Sequence, residues 1–215
     1  HDSFRVGEDG PTHQPVEHEA QIRLMEHLRN HHGERSMVVL RPADAEETVM
    51  AWKLAVEEHR PVALVLSRQN IKNLPTLGAS RREEAAQVAK GGYVVMDAAK
   101  PAAVLIASGS EVSTLVEGAG QLAAEGIAVR VVSVPSEGVF RDQPKSYQES
   151  VLPAGLPRYG MTSGLPVNLL GLVGEQGMIH GLDHFGYSAP YKVLDEKFGY
   201  NGATVAAEVK KMLGR

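Results

Sequence analysis

Two short apolar runs, with a helical pattern between them, decide the fold class: Met37-Val-Val-Leu40, then residues 43–59, then Pro61-Val-Ala-Leu-Val-Leu66. Both runs are apolar throughout instead of alternating, which is typical of parallel strands that helices cover on both faces. This β-α-β order predicts an α/β fold built on a parallel sheet.

Two helices are predicted around these strands. The first covers residues 16–30. The second covers residues 43–59, where Val49, Trp52 and Val56 recur at helical spacing and therefore share one face. We assign Trp52, the single tryptophan of the chain, to packing in the core.

The pattern breaks between about residues 69 and 92 and then restarts. Pro75, Gly78 and the charged run Arg81-Arg-Glu-Glu84 indicate an interdomain connection. We therefore place one domain at residues 1–72, the connection at 73–91 and a smaller three-layer α/β domain at 92–215. In this last domain we expect strands at 92–96, 102–107, 127–134, 158–162 and 178–182, and helices at 111–125, 190–198 and 203–213.

Composition excludes several classes of function. The 215 residues carry 22 basic and 26 acidic side chains, a net charge of -4, which offers no basic field for nucleic acid or an anionic membrane. The absence of cysteine rules out disulfides, thiolate metal sites and a cysteine nucleophile. The apolar runs are too short to cross a bilayer, so we expect a cytoplasmic protein.

His1 is an unusual first residue, and we expect the chain to be the later part of something longer.

The stretch His1-Asp-Ser-Phe-Arg-Val-Gly-Glu-Asp-Gly-Pro-Thr-His-Gln-Pro15 has neither helical nor strand periodicity and is predicted to be a shaped loop. It would hold His1, Asp9 and His13 towards a polyhydroxylated, anionic small molecule. Arg68 follows the strand at 62–66, and the carboxyl end of a parallel strand suits an anion-binding guanidinium. The alternative is a polar connector held by its own turns.

Three other motifs have simpler interpretations. Ser108-Gly-Ser-Glu111 resembles a phosphate cradle, but Ser108 with Glu111 also fits a capping box, which we favour. Asp183-His-Phe-Gly186 is interpreted as a structural turn, since adjacent side chains in an extended segment point apart. His27 and His31 share a helix face, yet no third ligand has matching spacing, so we predict a solvated helix end and no metal site.

Five motifs extend over essentially the whole chain: Gly7-Glu-Asp-Gly-Pro-Thr-His-Gln-Pro15, Arg41-Pro-Ala-Asp44, Ala63-Leu-Val-Leu-Ser-Arg-Gln-Asn70, Ala107-Ser-Gly-Ser-Glu-Val112 and Gly181-Leu-Asp-His-Phe-Gly186. Together they resemble those of transketolases. The first motif is highly specific: thiamine enzymes that share the fold, such as the β subunit of pyruvate dehydrogenase and deoxyxylulose-phosphate synthase, lack it.

The resemblance implies a protein of three α/β domains. This chain would hold the end of the second, pyrimidine-binding domain and all of the C-terminal domain. Thiamine diphosphate and Mg²⁺ would be held by residues outside this chain, which would itself contain no cofactor or metal ligand. The complete enzyme would be a homodimer of the pentose phosphate pathway that moves a two-carbon ketol unit from a ketose phosphate to an aldose phosphate. Without the missing N-terminal part, the chain would be inactive.

The resemblance also implies a role for each candidate residue. His1 resembles the histidine that hydrogen-bonds the sugar phosphate, and Arg68 resembles the arginine that pairs with it. Asp9 resembles the aspartate that accepts from the hydroxyl next to the acceptor's aldehyde. His13 resembles the catalytic histidine close to the reacting carbons.

One departure from the family pattern lies inside the loop. The family commonly has a small glycine after the His-Asp-Ser start, whereas this chain has Phe4-Arg5, and we expect Arg5 to add positive charge near the substrate channel. The competing hypothesis for the chain as a whole is a free-standing, noncatalytic α/β module with a binding or regulatory role. The absence of the family's catalytic glutamate motivates it, and the exposed sheet edges of such a module argue against it.

Overall fold

The computed structural model describes residues 1–78 and 80–215. In its first part, two parallel strands pair with Val38 opposite Val62 and enclose a helix between them along the chain, which confirms the predicted β-α-β order. The helix between the strands begins after Asp44, whose carboxylate accepts a hydrogen bond from the backbone N–H of Glu47 (2.8 Å). The elements are a 3₁₀ helix (Phe4–Asp9), α1 (His18–His27), β1 (Val38–Leu40), α2 (Ala45–Glu57) and β2 (Val62–Leu64).

The stretch predicted as a connection contains two short helical segments, α3 (Arg81–Ala85) and a 3₁₀ helix (Ala86–Lys90). Ser80 and Glu83 form a capping box at the start of α3. Arg81 then reaches back to Asp44, its Nε donating to Oδ2 at 2.5 Å. An ion pair between Arg81 and Asp44 therefore joins the connection to the beginning of α2.

The second sheet has five strands in the order β3-β5-β4-β6-β7 among the residues that the structure describes. β3 is an edge strand, as predicted, and runs antiparallel to β5, while the other neighbours are parallel. Its strands are β3 (Tyr93–Met96), β4 (Val104–Ala107), β5 (Arg130–Ser133), β6 (Arg158–Met161) and β7 (Met178–His180). The helices around it are α4 (Glu111–Ala124), α5 (Glu137–Arg141), α6 (Lys145–Val151), α7 (Val167–Val173), α8 (Tyr191–Phe198) and α9 (Gly202–Met212).

The five-stranded sheet is buried on both faces. Leu105 of β4 points into a cluster formed with Leu115 of α4 and Val205 of α9. The next residue, Ile106, points to the opposite face and packs with Phe140. Successive side chains of a strand alternate between faces, so helices on both sides are needed to cover β4. The three-layer α/β arrangement expected for this half is present.

The prediction that Trp52 packs in the core is wrong for this chain. Trp52 is 52% exposed, and its neighbours on the same face of α2, Val49 and Val56, are 50% and 80% exposed. The buried side of α2 carries the small Ala51 instead. Helical spacing identified the shared face correctly, but the two-stranded sheet leaves that face without a covering element in the described residues.

None of the helices in residues 1–78 and 80–215 is long and apolar enough to span a membrane.

Candidate functional site

The first fifteen residues form the shaped loop that the sequence predicts, and its backbone turns at glycine. Gly7 and Gly10 have φ values of +87° and +77°, a region that side chains with a Cβ atom rarely adopt. The buried Gln14 donates from Nε2 to the carbonyl oxygens of Gly7 (2.7 Å) and Tyr187 (2.9 Å). The bond to Gly7 joins the two ends of the turn within the loop, and the bond to Tyr187 connects the loop to the C-terminal half.

The beginning of the loop is anchored to the first sheet. The backbone N–H of Asp2 donates to the carbonyl oxygen of Leu66 (3.0 Å). Ser3 has a φ of +62°, unusual for a residue other than glycine, and its Oγ accepts from the backbone N–H of Arg5 (3.2 Å). Such a conformation persists only where the surroundings enforce it. The exposed His1 therefore extends from a firmly held backbone.

A buried ionic network lies beneath this loop. Arg41 follows β1 and pairs with Asp2 (Nη2 to Oδ2, 2.6 Å) and with Glu111, the first residue of α4. Arg5 pairs with the same Glu111 and with Asp195 of α8 (Nε to Oδ1, 2.7 Å). All but Asp195 are almost fully buried. The network therefore connects the loop and the first sheet to two helices of the C-terminal half.

Two opposed effects act on the pKa of each buried carboxyl group in this network: burial raises it, and the nearby guanidinium groups lower it. Burial raises the pKa of Asp2, because the loss of water outweighs the attraction of Arg41. Burial also acts to raise the pKa of Glu111, but Arg41 and Arg5 together outweigh it, so that pKa is lowered. Glu111 is therefore the carboxylate that remains ionised between the two guanidinium groups.

Two sequence-based expectations are corrected by this network. Arg5 adds no positive charge to a substrate channel, since its guanidinium is buried and paired with carboxylates. Ser108 and Glu111 do not form a capping box: the residue before α4 is Ser110, and no side chain caps the helix there. Glu111 instead pairs with Arg41, which lies 70 residues earlier and which local spacing does not indicate.

His1 and His13 lie on one cleft of about 470 Å³. Both are exposed, and the Nδ1 atom of His13 lies 2.9 Å from the hydroxyl oxygen of Thr12. The cleft wall is formed by His1, Pro11, Thr12, His13, Gln14, Pro15, Glu17, His18 and Phe185. Two imidazoles on one concave, solvent-accessible surface can hydrogen-bond a polar ligand.

Asp9 of the loop and Arg68, which follows β2, form a second pair. Arg68 Nη2 lies 3.9 Å from Asp9 Oδ2, and each side chain is about half exposed (51% and 50%). Arg68 also donates from Nη1 to the carbonyl oxygen of Val6 (3.0 Å), which fixes the guanidinium in place. Neither residue lines the cleft of His1 and His13. The structure thus brings the four predicted residues together as two pairs.

Phe185 is the residue of this cleft that the sequence analysis missed. It belongs to the segment that we interpreted as a structural turn, 172 positions from His13 along the chain, and no local spacing links the two.

His27 and His31 are exposed around the end of α1. In residues 1–78 and 80–215, no group of three or more His, Asp or Glu side chains is arranged to hold a metal ion.

Fold and cleft together define a class of protein: a parallel α/β unit followed by a mixed-sheet α/β unit, with a solvent-accessible cleft formed mainly by the loop of residues 1–15. Two family models match the chain. Residues 1–73 match the transketolase pyrimidine-binding domain, and residues 91–201 match the transketolase-like C-terminal domain. The chain belongs to the transketolase family and corresponds to the C-terminal portion of its members.

Individual relatives show how much of such a protein this chain represents. It is 45% identical over 214 residues to a plasmid transketolase of Cupriavidus necator, covering 99% of the chain and 30% of that protein. The transketolase of Leishmania mexicana superposes with a TM-score of 0.86 at 39% identity, covering all of this chain and 29% of the other. The Pichia stipitis transketolase in complex with sedoheptulose 7-phosphate gives a TM-score of 0.85 at 35% identity, with the same coverage. The chain therefore spans about 30% of the length of the curated relatives it matches.

Proposed function

We propose that this chain supplies the sugar-phosphate-binding part of a transketolase, which transfers a two-carbon ketol unit from a ketose phosphate to an aldose phosphate in a thiamine-dependent reaction. The observation that carries the proposal is the arrangement of His1 and His13 on one cleft, with Asp9 of the same loop paired to Arg68. Two similar transketolase structures contain sedoheptulose 7-phosphate and fructose 6-phosphate. These complexes support phosphorylated sugars as the ligand class.

Each side chain has a separate task in this proposal. Arg68 and His1 bind the phosphate group, a charge-assisted contact for which a fixed guanidinium is well suited. Asp9 accepts a hydrogen bond from the hydroxyl beside the aldehyde of the acceptor. His13 lies closest to the reacting carbons, where its imidazole holds a substrate hydroxyl or stabilises the negative charge that develops on that oxygen.

Thiamine diphosphate and Mg²⁺ belong, in this proposal, to the remainder of the complete protein. The described residues do not fit a magnesium–diphosphate site, because no three metal-ligating side chains converge in residues 1–78 and 80–215. We therefore assign no step through the cofactor to this chain. Its residues bind and orient the sugar.

We further propose that the rest of the same protein and a second subunit cover the exposed apolar face of α2. Val49, Trp52 and Val56 form a continuous stripe on that helix, and large exposed apolar surfaces mark contact sites. The span of about 30% of the relatives' length supports an origin in a larger, homodimeric protein.

We keep residues 1–72, 73–91 and 92–215 as the proposed domain division. The proposed context is a cytoplasmic enzyme of the pentose phosphate pathway.

The test compares phosphorylated with unphosphorylated sugars in a ketol-transfer assay of the complete protein that contains this chain. Arg68→Ala and His1→Ala should each raise KM for phosphorylated sugars about tenfold or more, because a charge-assisted hydrogen bond contributes about 1.5–3 kcal/mol. KM for unphosphorylated sugars should change little. Arg60→Ala removes an arginine that pairs with Glu58 outside the loop, and it serves as the control.

Two results would overturn parts of the proposal. Equal effects of Arg68→Ala on phosphorylated and unphosphorylated sugars would remove the phosphate assignment. Sugar-phosphate binding without any ketol transfer by the complete protein would instead favour the noncatalytic binding module.

A further inference from the structure

The cleft of His1 and His13 has one wall residue from the C-terminal half of the chain. Eight of its nine lining residues lie between His1 and His18, and the ninth is Phe185. The Phe185 side chain is 73% exposed, so its ring lies at the rim of the cleft and does not fill the core. Ligand pockets combine aromatic or apolar side chains with a few polar groups, and this cleft contains both.

The segment that carries Phe185 is hydrogen-bonded to the loop of residues 1–15 just after the Phe185 ring. After Phe185, Ser188 Oγ donates to the carbonyl oxygen of Glu8 (2.5 Å), in addition to the bond from Gln14 to the Tyr187 carbonyl. Within the segment, the His184 imidazole donates from Nδ1 to the Phe185 carbonyl oxygen (2.8 Å). Two hydrogen bonds therefore hold the residues that follow Phe185 against the loop that carries His13.

Gly186 makes the close approach of the two segments possible. A Cβ atom at this position would overlap the Oε1 atom of the buried Gln14 and would also contact Phe4. A side chain at position 186 would thus displace the Gln14 amide from its two hydrogen bonds or push the segment away from the loop. The contact between the two segments is a close fit that places the Phe185 ring at the cleft.

We propose that Phe185 is a specificity-determining residue of the sugar cleft, whose ring packs against the C–H face of the acceptor's carbon chain. The inference rests on the proposed function and extends it, because it gives the C-terminal domain a part in substrate recognition. His1 and His13 offer hydrogen bonds to hydroxyl and phosphate oxygens, but neither offers an extended apolar surface. The aromatic ring supplies that surface, and its place at the rim means that only an acceptor long enough to extend outwards contacts it.

The test measures ketol transfer by the complete protein to two acceptors of different length: a five-carbon aldose phosphate and an unphosphorylated two-carbon aldehyde. Phe185→Ala should raise KM for the long acceptor about fivefold, since part of an aromatic side chain's burial is lost. KM for the short aldehyde should be unchanged. Phe185→Trp, which keeps an aromatic surface, should restore KM for the long acceptor to within about twofold of the unsubstituted protein.

Controls separate recognition from folding. Because Phe185 is mostly exposed, Phe185→Ala should leave Tm unchanged. Val193→Ala truncates another exposed apolar residue of the C-terminal half, one that does not line the cleft, and it should leave both KM values unchanged.

The possible failures are distinguishable. Ketol transfer by the unsubstituted protein, combined with the same KM for the long acceptor in Phe185→Ala, would overturn this inference and leave the proposed function intact. A rise of KM by the same factor for both acceptors would also overturn it, because length discrimination would be absent. No ketol transfer by the unsubstituted complete protein would overturn the proposed function and this inference with it.

Discussion

Arg41 and Glu111 form a fully buried ion pair that joins the first sheet to the first turn of α4. Arg41 is 1% exposed and Glu111 is completely buried. Arg41 also donates from Nη1 to the carbonyl oxygen of Ser108 (2.6 Å), just before the helix. Removing two charges from water costs free energy, which the pair recovers only through close contacts between its partners. Loss of one partner would leave the other charge buried with less compensation.

Breaking this pair should therefore destabilise the protein strongly. Arg41→Met leaves the carboxylates of Asp2 and Glu111 buried with fewer positive partners, and we expect a loss of about 3–5 kcal/mol in the free energy of unfolding. Urea denaturation followed by circular dichroism measures this loss.

Arg130→Met provides the matched control. Arg130 pairs with Asp97 at 2.8 Å, and both side chains are partly exposed (15% and 36%). Loss of that pair should cost about 1 kcal/mol or less, since water screens it. Equal losses for the two variants would mean that the buried network contributes no more than a surface pair.

A second prediction concerns two glycines of α4 that lie two positions apart. Gly118 faces α9, where a Cβ atom would overlap the side chain of Val205, whereas Gly120 faces open space. Gly118→Ala should destabilise the protein by about 1–3 kcal/mol through overpacking. Gly120→Ala should stabilise it by about 0.5–1 kcal/mol, because alanine favours the helix. Thermal unfolding of both variants checks the opposite signs, and two shifts in the same direction would contradict the packing of α4 on α9.

A third prediction is a pH dependence that arises at His180. Its Nδ1 lies 3.1 Å from Glu208 Oε2, and its Nε2 lies 3.0 Å from the Phe198 carbonyl oxygen. Burial acts to lower the pKa of His180, but the contacts with Glu208 outweigh burial and raise it above its usual 6.5. The pKa of Glu208 is lowered: burial opposes this change, and the hydrogen bonds from His180 and Tyr159 outweigh it. Glu208 therefore remains ionised near neutrality.

The sign of the effect follows from proton linkage. A raised pKa in the folded state stabilises the protein fully below the unfolded value of about 6.5, and this contribution is lost as the pH rises through the folded value. The urea midpoint should therefore decrease from pH 6 to pH 8. His180→Gln should reduce the size of that decrease, and an unchanged decrease in this variant would exclude His180 as its origin.

The sequence predicts the fold most successfully where a pattern is long and local. The parallel strands around α2, the edge strand β3 and the long helix α4 follow from apolar runs and helical spacing, and the structure confirms them. α5, α6 and α7 were missed because five to seven residues are too short for periodicity to emerge. Ser136, Pro144 and Pro166, the residues before their first turns, are the signals that would have located these helices.

The candidate site shows the limit of local reasoning more clearly. Spacing indicated a shaped loop with His1 and His13, and the cleft contains both. The partner of Glu111 and the contribution of Phe185 depend on contacts between positions far apart in the chain, which a single sequence does not reveal. The exposed face of Trp52 was predicted to be core because helical spacing identifies an apolar face but not the element that covers it.

A final prediction concerns how the acceptor's configuration is read. Asp9 is half exposed and lies 3.9 Å from Arg68, so its carboxylate is free enough to accept a hydrogen bond from a substrate hydroxyl. In the complete protein, Asp9→Ala should reduce the preference between acceptors of opposite configuration at the hydroxyl beside the aldehyde. We expect a reduction of about tenfold or more in the ratio of kcat/KM values, because a hydrogen bond to a charged group contributes about 1.5–3 kcal/mol. Glu8→Ala, which removes the neighbouring exposed carboxylate, should leave the ratio unchanged, and an unchanged ratio in Asp9→Ala would remove Asp9 from this role.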